Sequence, residues 1–189
     1  MQPLVLASAS PRRLQLLKEA GWSVKVDISG ADEIEDHSLT PDALALENAR
    51  RKWHAIAARR PGDLIVAADT VVWLEGRFYG KPADFHEARK MLASLVGRTH
   101  QVVTGVVVGS SSASVEFSEL SMVTFHDLTP ESIEAYLGSI HPLDKAGGYA
   151  AQDDGGRLIE KIEGSLSNVI GLPMERLAEV LKEIQRLQE

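Results

Sequence analysis

The stretch Leu64-Ile65-Val66-Ala67-Ala68-Asp69-Thr70-Val71-Val72-Trp73 decides how this chain is read. It predicts a strand from Asp63 to Glu75, turned by Gly76, with one acid set among apolar residues on either side. Aspartate is depleted in strands, and a buried carboxylate is costly unless it is paired, metal-bound or neutralised. Asp69 is therefore a candidate general base or metal ligand, the alternative being a structural ion pair with a buried Lys or Arg.

Outward from this strand, the flanking segments alternate between helix and strand. Pro3 to Ser8 reads as a short buried strand, and Ser10-Pro11 as an N-cap followed by proline in the first turn. Leu14, Leu17 and Ala20 form the apolar side of that helix, which Gly21 stops, and Trp22 to Ile28 alternates as a second strand. Gly30 to Ser38 is an acidic loop. Thr40-Pro41 then opens a helix to about Arg59, with Leu46, Ala49, Trp53 and Ile56 as its apolar stripe. After Gly80-Lys81-Pro82 a helix is expected over 84–95. Next come a hairpin of Val102 to Val108 with Val115 to Phe125 about Ser110 to Ser112, and a short helix from Pro130. A glycine-rich stretch from Gly147 to Gly156 precedes a strand at Leu158 to Ile162, and the last helix runs from Pro173 to about Leu187. The fold class is mixed α/β, and the 189 residues suit one domain, built as one large unit or two interlocked lobes.

Composition narrows the function classes. With 44% hydrophobic and 25% charged residues the chain is that of an ordinary folded protein. Its apolar runs fall far short of the roughly 18–20 residues that span a bilayer, and no secretory signal is legible, so a cytoplasmic protein without membrane partners is expected. The absence of cysteine removes disulfides, thiol nucleophiles and cysteine-bound zinc. A net charge of −7 opposes nucleic-acid coating but leaves room for an anionic small molecule in a locally basic cleft.

Cations at the start of the first helix point to such a ligand. Ser8-Ala9-Ser10-Pro11-Arg12-Arg13 places two arginines at the positive end of a helix dipole. They become favourable there if an anion, phosphate being the natural one, is held by N–H groups, hydroxyls and guanidinium forks. The plainer reading is a solvated pair that meets acids elsewhere. Lys52 and Lys81, taken singly, read as a helix-face and a loop charge, and Gly147 to Gly156 as a turn cluster. No HExxH and no GxxxxGK[ST] occurs, which argues against a zinc site and a P-loop.

Taken together, six ordered segments resemble the Maf family of nucleotide pyrophosphatases. They are Leu6-Ala7-Ser8-Ala9-Ser10-Pro11-Arg12-Arg13, Ala68-Asp69-Thr70, Gly80-Lys81-Pro82 and Thr99-His100-Gln101-Val102, then Asp144-Lys145-Ala146-Gly147 through Gln152, and Gly164-Ser165 with Asn168-Val169-Ile170-Gly171-Leu172-Pro173. The resemblance implies two α/β lobes around an elongated mixed sheet, with a cleft between them. It further implies hydrolysis between the α- and β-phosphates of a nucleoside triphosphate with a divalent cation, magnesium or in its place manganese. By this likeness Asp69 is the general base, and Ser8, Arg12, Arg13, Lys52 and Lys81 are phosphate and cleft residues. Glu33 is an acidic partner that helps hold the metal, although the loop from Asp32 to Asp36 offers several ligands. Thr70 and Gln152, with Arg12, fall at positions tied to base selection, and a homodimer is the implied assembly.

The segment from Asp144 to Gln152 resembles the dTTP/UTP branch, whereas the 7-methyl-GTP branch typically begins it with Cys-Ala-Gly. Two departures stand out: Trp53 follows Lys52 where the family usually has a small residue, and Asp153-Asp154 adds charge beside Gln152. Competing readings are a nucleotide-sensing regulator linked to cell division, and a purine pyrophosphatase acting on inosine or xanthosine triphosphate.

Overall fold

In the computed structural model, which describes residues 3–153 and 155–186, β-branched runs become the strands of one mixed seven-stranded sheet. Its longest members are β3 (Ile65–Leu74), β5 (Thr99–Ser110) and β6 (Ala113–Phe125), joined antiparallel. β1 (Leu4–Leu6) runs parallel to both β3 and β2 (Val24–Val26). β4 (Arg77–Tyr79) folds back on β3, and β7 (Ile159–Glu163) lies on β6.

One detail of this topology makes the site. β5 occupies one edge of β3 along Ile65 to Trp73, so β1 and β4 must share the other. β1 pairs at Ile65 and Val66, while β4 pairs at Val72 to Leu74. Between them Asp69 and Thr70 face a gap that no strand among the described residues fills, and a cleft of about 770 Å³ opens there.

Helices cover both faces. α2 (Pro41–Ala57) packs Ala49, Trp53, Ile56 and Ala57 on Val5, Ala7, Ile65, Ala67 and Val107. On the opposite face α1 (Pro11–Glu19) and α6 (Met174–Arg186) bury Leu17, Leu177, Val180 and Leu181 against Leu4, Leu6, Val66 and Val106. Farther along, α3 (Phe85–Leu95) and α4 (Pro130–Leu137) build a third cluster on Val72, Leu74, Val102 and Phe125. All three clusters are strung on the same long strands.

Several expectations shift. β2 keeps three residues rather than seven, because its neighbour β1 is itself three residues long. The hairpin is longer than its apolar centre suggested, since backbone pairing carries through its exposed outer half, where Arg50 also meets Glu116. Leu46 is only half-buried; Leu44 and Ala45 face inward instead. Thr40 caps α2 without a side-chain hydrogen bond, whereas Ser10, Asp84 and Thr129 accept one. The short helix α5 (Leu166–Ile170) and three 3-10 turns over 142–153 were not anticipated. Asp154, the side chain of Asp153 and Leu187 lie outside the described residues. Among the described residues no helix is long and apolar enough to cross a membrane.

Candidate active site

Asp69 is buried at the centre of β3, on the face that α2 covers. Its Oδ1 accepts a hydrogen bond from Lys52 Nζ at 2.6 Å, and its Oδ2 one from Asn48 Nδ2 at 3.3 Å. Lys52 and Asn48 are four residues apart on α2, so both project towards the strand from one side of the helix. Each also serves the acidic loop. Lys52 Nζ meets Glu33 Oε1 at 2.6 Å, and Asn48 exchanges two hydrogen bonds with the backbone of Ile34. Lys52 is thus a bridge between two carboxylates, one buried and one facing the cleft. Trp53 enters the core beside it without drawing Lys52 away from Asp69.

This approach of α2 to the sheet depends on Gly105. It stands opposite Asp69 across the β3–β5 ladder and therefore points to the same face. A Cβ on Gly105 would lie 2.5–2.6 Å from backbone atoms of Ala45 and Leu46, closer than any side chain tolerates. The missing methyl lets Lys52 and Asn48 reach Asp69.

The opposite wall starts where β1 ends. Ser8 is buried there, and Ser10 caps α1. Arg13 is buried too and turns inward, its guanidinium donating to Ser8 Oγ at 3.1 Å, Thr70 Oγ1 at 3.0 Å and the Gly171 carbonyl at 2.7 Å. Thr70 continues the chain to Thr104 Oγ1 at 2.8 Å, which donates to the Asn168 carbonyl at 3.2 Å. Three of the five N–H donors of Arg13 are therefore committed to holding α1, β3 and α5 together. Burial draws the Arg13 pKa below its usual value; the Asp69 charge opposes that and Arg12 adds to it. For Glu33, burial pushes the pKa up, but Lys52, Lys81 and Arg13 outweigh it and hold the carboxyl below its usual range.

Arg12 takes the other course. It pairs with Asp144 at 3.0 Å, so the basic first turn does meet an acid, one brought from 132 residues away. Lys81 is exposed on the rim, and Gln152, also exposed, lines the cleft a few residues after the Gly147 to Tyr149 turn. Gly147, at φ +71°, makes that turn and donates its N–H to the Gly80 carbonyl at 3.0 Å, docking the segment beside Lys81. Below it His100 Nε2 lies 2.9 Å from Tyr149 Oη, and burial pulls the imidazole pKa down to about 4.

Every residue singled out from the sequence thus lines one cleft: Ser8, Arg12, Arg13, Glu33, Lys52, Asp69, Thr70, Lys81 and Gln152. Asn48 was missed, although an asparagine one turn before Lys52, beside Ala45 and Ala49, was a legible polar break in an apolar stripe. Gly105 and Thr104 were missed as well, and Asn168 stood in a motif without a role of its own; only contacts across the sheet give them one. Among the described residues no group of three or more His, Cys, Asp or Glu is placed to hold a metal alone.

Comparison with known proteins agrees with this geometry. Residues 3–184 match the family described as Maf-like protein. The chain is 40% identical over 179 residues to a dTTP/UTP pyrophosphatase of Akkermansia muciniphila, covering 95% of each chain. It is 39% identical over 183 residues to proteins of the same name from Bacillus cereus (strain ZK / E33L) and Bacillus anthracis, covering 97% of this chain and 96% of each relative. The open edge of β3, the paired acid upon it and these matches along almost the whole length place the chain in the Maf-like protein family.

Proposed function

We propose that the protein hydrolyses dTTP and UTP to the nucleoside monophosphate and pyrophosphate, with Asp69 as general base. The observation that carries this reading is the buried Asp69 carboxylate, on the stretch of β3 between the β1 and β4 pairings, facing a cation-lined cleft. Lys52 compensates its charge through a direct contact at 2.6 Å. An ionised carboxylate offers about four lone-pair sites. Lys52 and Asn48 use two, which leaves capacity to accept a proton from water.

In the proposed step the water oxygen bonds to the α-phosphorus as its proton passes to Asp69. The bond from the α-phosphorus to the oxygen bridging to the β-phosphate breaks, and pyrophosphate leaves with that electron pair. Lys52, Lys81 and Arg13 set a positive field over the charge that develops. Ser8 and the N-terminus of α1 add donors on the same wall. The family resemblance assigns Thr70, Arg12 and Gln152 to base selection, and all three line the same cleft.

The donor set suits a magnesium ion that arrives on the triphosphate. Magnesium keeps several waters and needs one or two carboxylates plus phosphate oxygens, and here Glu33 and Asp69 face one another across Lys52. When bound, the ion neutralises phosphate charge and polarises the phosphoryl oxygens. The direct test is Asp69→Asn, which keeps shape and hydrogen-bonding volume but removes the base. Turnover of UTP should fall by ~10²–10⁴ while the unfolding transition stays cooperative. A variant within a few-fold of wild type would remove Asp69 from the mechanism.

A further inference from the structure

One ionic trio on the cleft wall plays no part in the step above. Arg12 Nη1 donates to Asp144 Oδ2 at 3.0 Å, and Nη2 to the Asp144 carbonyl at 3.3 Å. The other carboxylate oxygen, Oδ1, accepts from Lys145 Nζ at 2.6 Å, and the same ammonium donates to the His141 carbonyl at 2.6 Å. Lys145 is buried, and Asp144 sits between two cations. Burial pushes the Asp144 pKa up, but Lys145 and Arg12 outweigh it and hold the carboxyl below its usual range.

The cleft therefore has two ion-pair clusters. Lys52 pairs with Asp69 and Glu33, near Lys81 and Arg13, whereas Arg12 and Lys145 pair with Asp144. The first cluster surrounds the base and suits phosphates. In the second, Asp144 offsets the guanidinium charge and fixes its plane by a two-point grip. Two of the five donors of Arg12 are taken, which leaves three. A partly neutralised, rigidly aimed donor set is matched to neutral carbonyl oxygens rather than to a polyanion.

Resting on the nucleotide reading above, we infer that Asp144 is a positioning residue for base selection. It holds Arg12 across the cleft so that the remaining N–H groups meet the carbonyl edge of a pyrimidine. Because the pair is partly exposed, at 19% and 54% of the side chains, its contribution to folding is small and its effect lies in aim. The same contact ties α1 to the 142–149 segment that carries the Gly147 turn.

The test is a double-mutant cycle in which kcat and KM for UTP and GTP are measured for wild type, Asp144→Ala, Arg12→Ala and the double variant. In the wild-type background Asp144→Ala should raise KM for UTP about tenfold and narrow the UTP-to-GTP preference by a similar factor, with kcat within about twofold. In the Arg12→Ala background the same substitution should change neither preference nor KM by more than about twofold. Equal effects in both backgrounds, or a fall in kcat with preference intact, would overturn the role assigned to Asp144. If the alanine variant does not fold, Asp144→Asn takes its place and is read in the same way. A wild-type protein that releases no pyrophosphate from either nucleotide overturns the nucleotide reading as well. Normal wild-type selectivity with an unresponsive Asp144 variant overturns this inference alone.

Discussion

At the scale of single residues, the cleft divides its cations by what they already hold. Lys52 is shared between Asp69 and Glu33, Arg13 is spent on Ser8, Thr70 and Gly171, and Lys81, which forms no ion pair among the described residues, is exposed at the rim to an incoming phosphate. Gln152 is exposed in the same cleft, and its amide can both donate and accept, matching the 4-oxo and N3–H edge of uracil or thymine. Gln152→Glu keeps the acceptor and loses the donor. The ratio of kcat/KM for UTP to that for CTP should fall by about tenfold, the worth of one hydrogen bond, because a carboxylate accepts from the cytosine amine instead. An unchanged ratio would take Gln152 out of base reading. Asp69 was legible from sequence because an acid inside an apolar strand demands a partner. Which partner was not legible: Lys52 lies on a separate helix, and only the packing of α2 on β3 joins them.

Elements impose the next level of order, and α2 is the one on which the site depends. Its buried side alternates Ala45, Asn48, Ala49 and Lys52, so apolar contact with the sheet and polar contact with Asp69 come from the same stripe. Close approach at Gly105 sets the distance. Gly105→Ala should destabilise the fold by ~1–3 kcal/mol, as overpacking does, and lower kcat by displacing Lys52 and Asn48 from the base. Denaturant unfolding and UTP turnover measured on one preparation check both. An alanine variant with wild-type stability would show that α2 has slack at this position. The strands and the proline-started helices α1, α2 and α4 were readable from caps and periodicity. The 3-10 turns over 142–153 were not, because irregular backbone held by a distant element such as Gly80 carries no local period.

For the molecule as a whole, the cluster that α3 and α4 build on the sheet reaches the cleft wall through Val72, Met91, Val102 and Tyr149. His100 lies against that cluster, packed edge-on on Phe125 and Tyr149, and is held neutral by burial. Its folded pKa of about 4 lies below the ordinary value near 6.5, so the unfolded chain binds the proton first as pH falls. The stability that this provides is complete above pH ~6.5 and is lost as pH drops towards ~4. The unfolding midpoint should decline across that window, and His100→Asn should flatten the decline; an equal slope in the variant would assign the pH dependence to other groups. Family membership follows from similarity along nearly the whole chain, yet the reaction itself rests on the chemistry of one cleft. That chemistry is tested most directly by offering the purified protein, with magnesium, a panel of nucleoside triphosphates and assaying pyrophosphate and orthophosphate separately. The account predicts pyrophosphate, released fastest from UTP and dTTP, with little orthophosphate. Orthophosphate as the first product, or nucleotide binding without hydrolysis of any triphosphate, would contradict it.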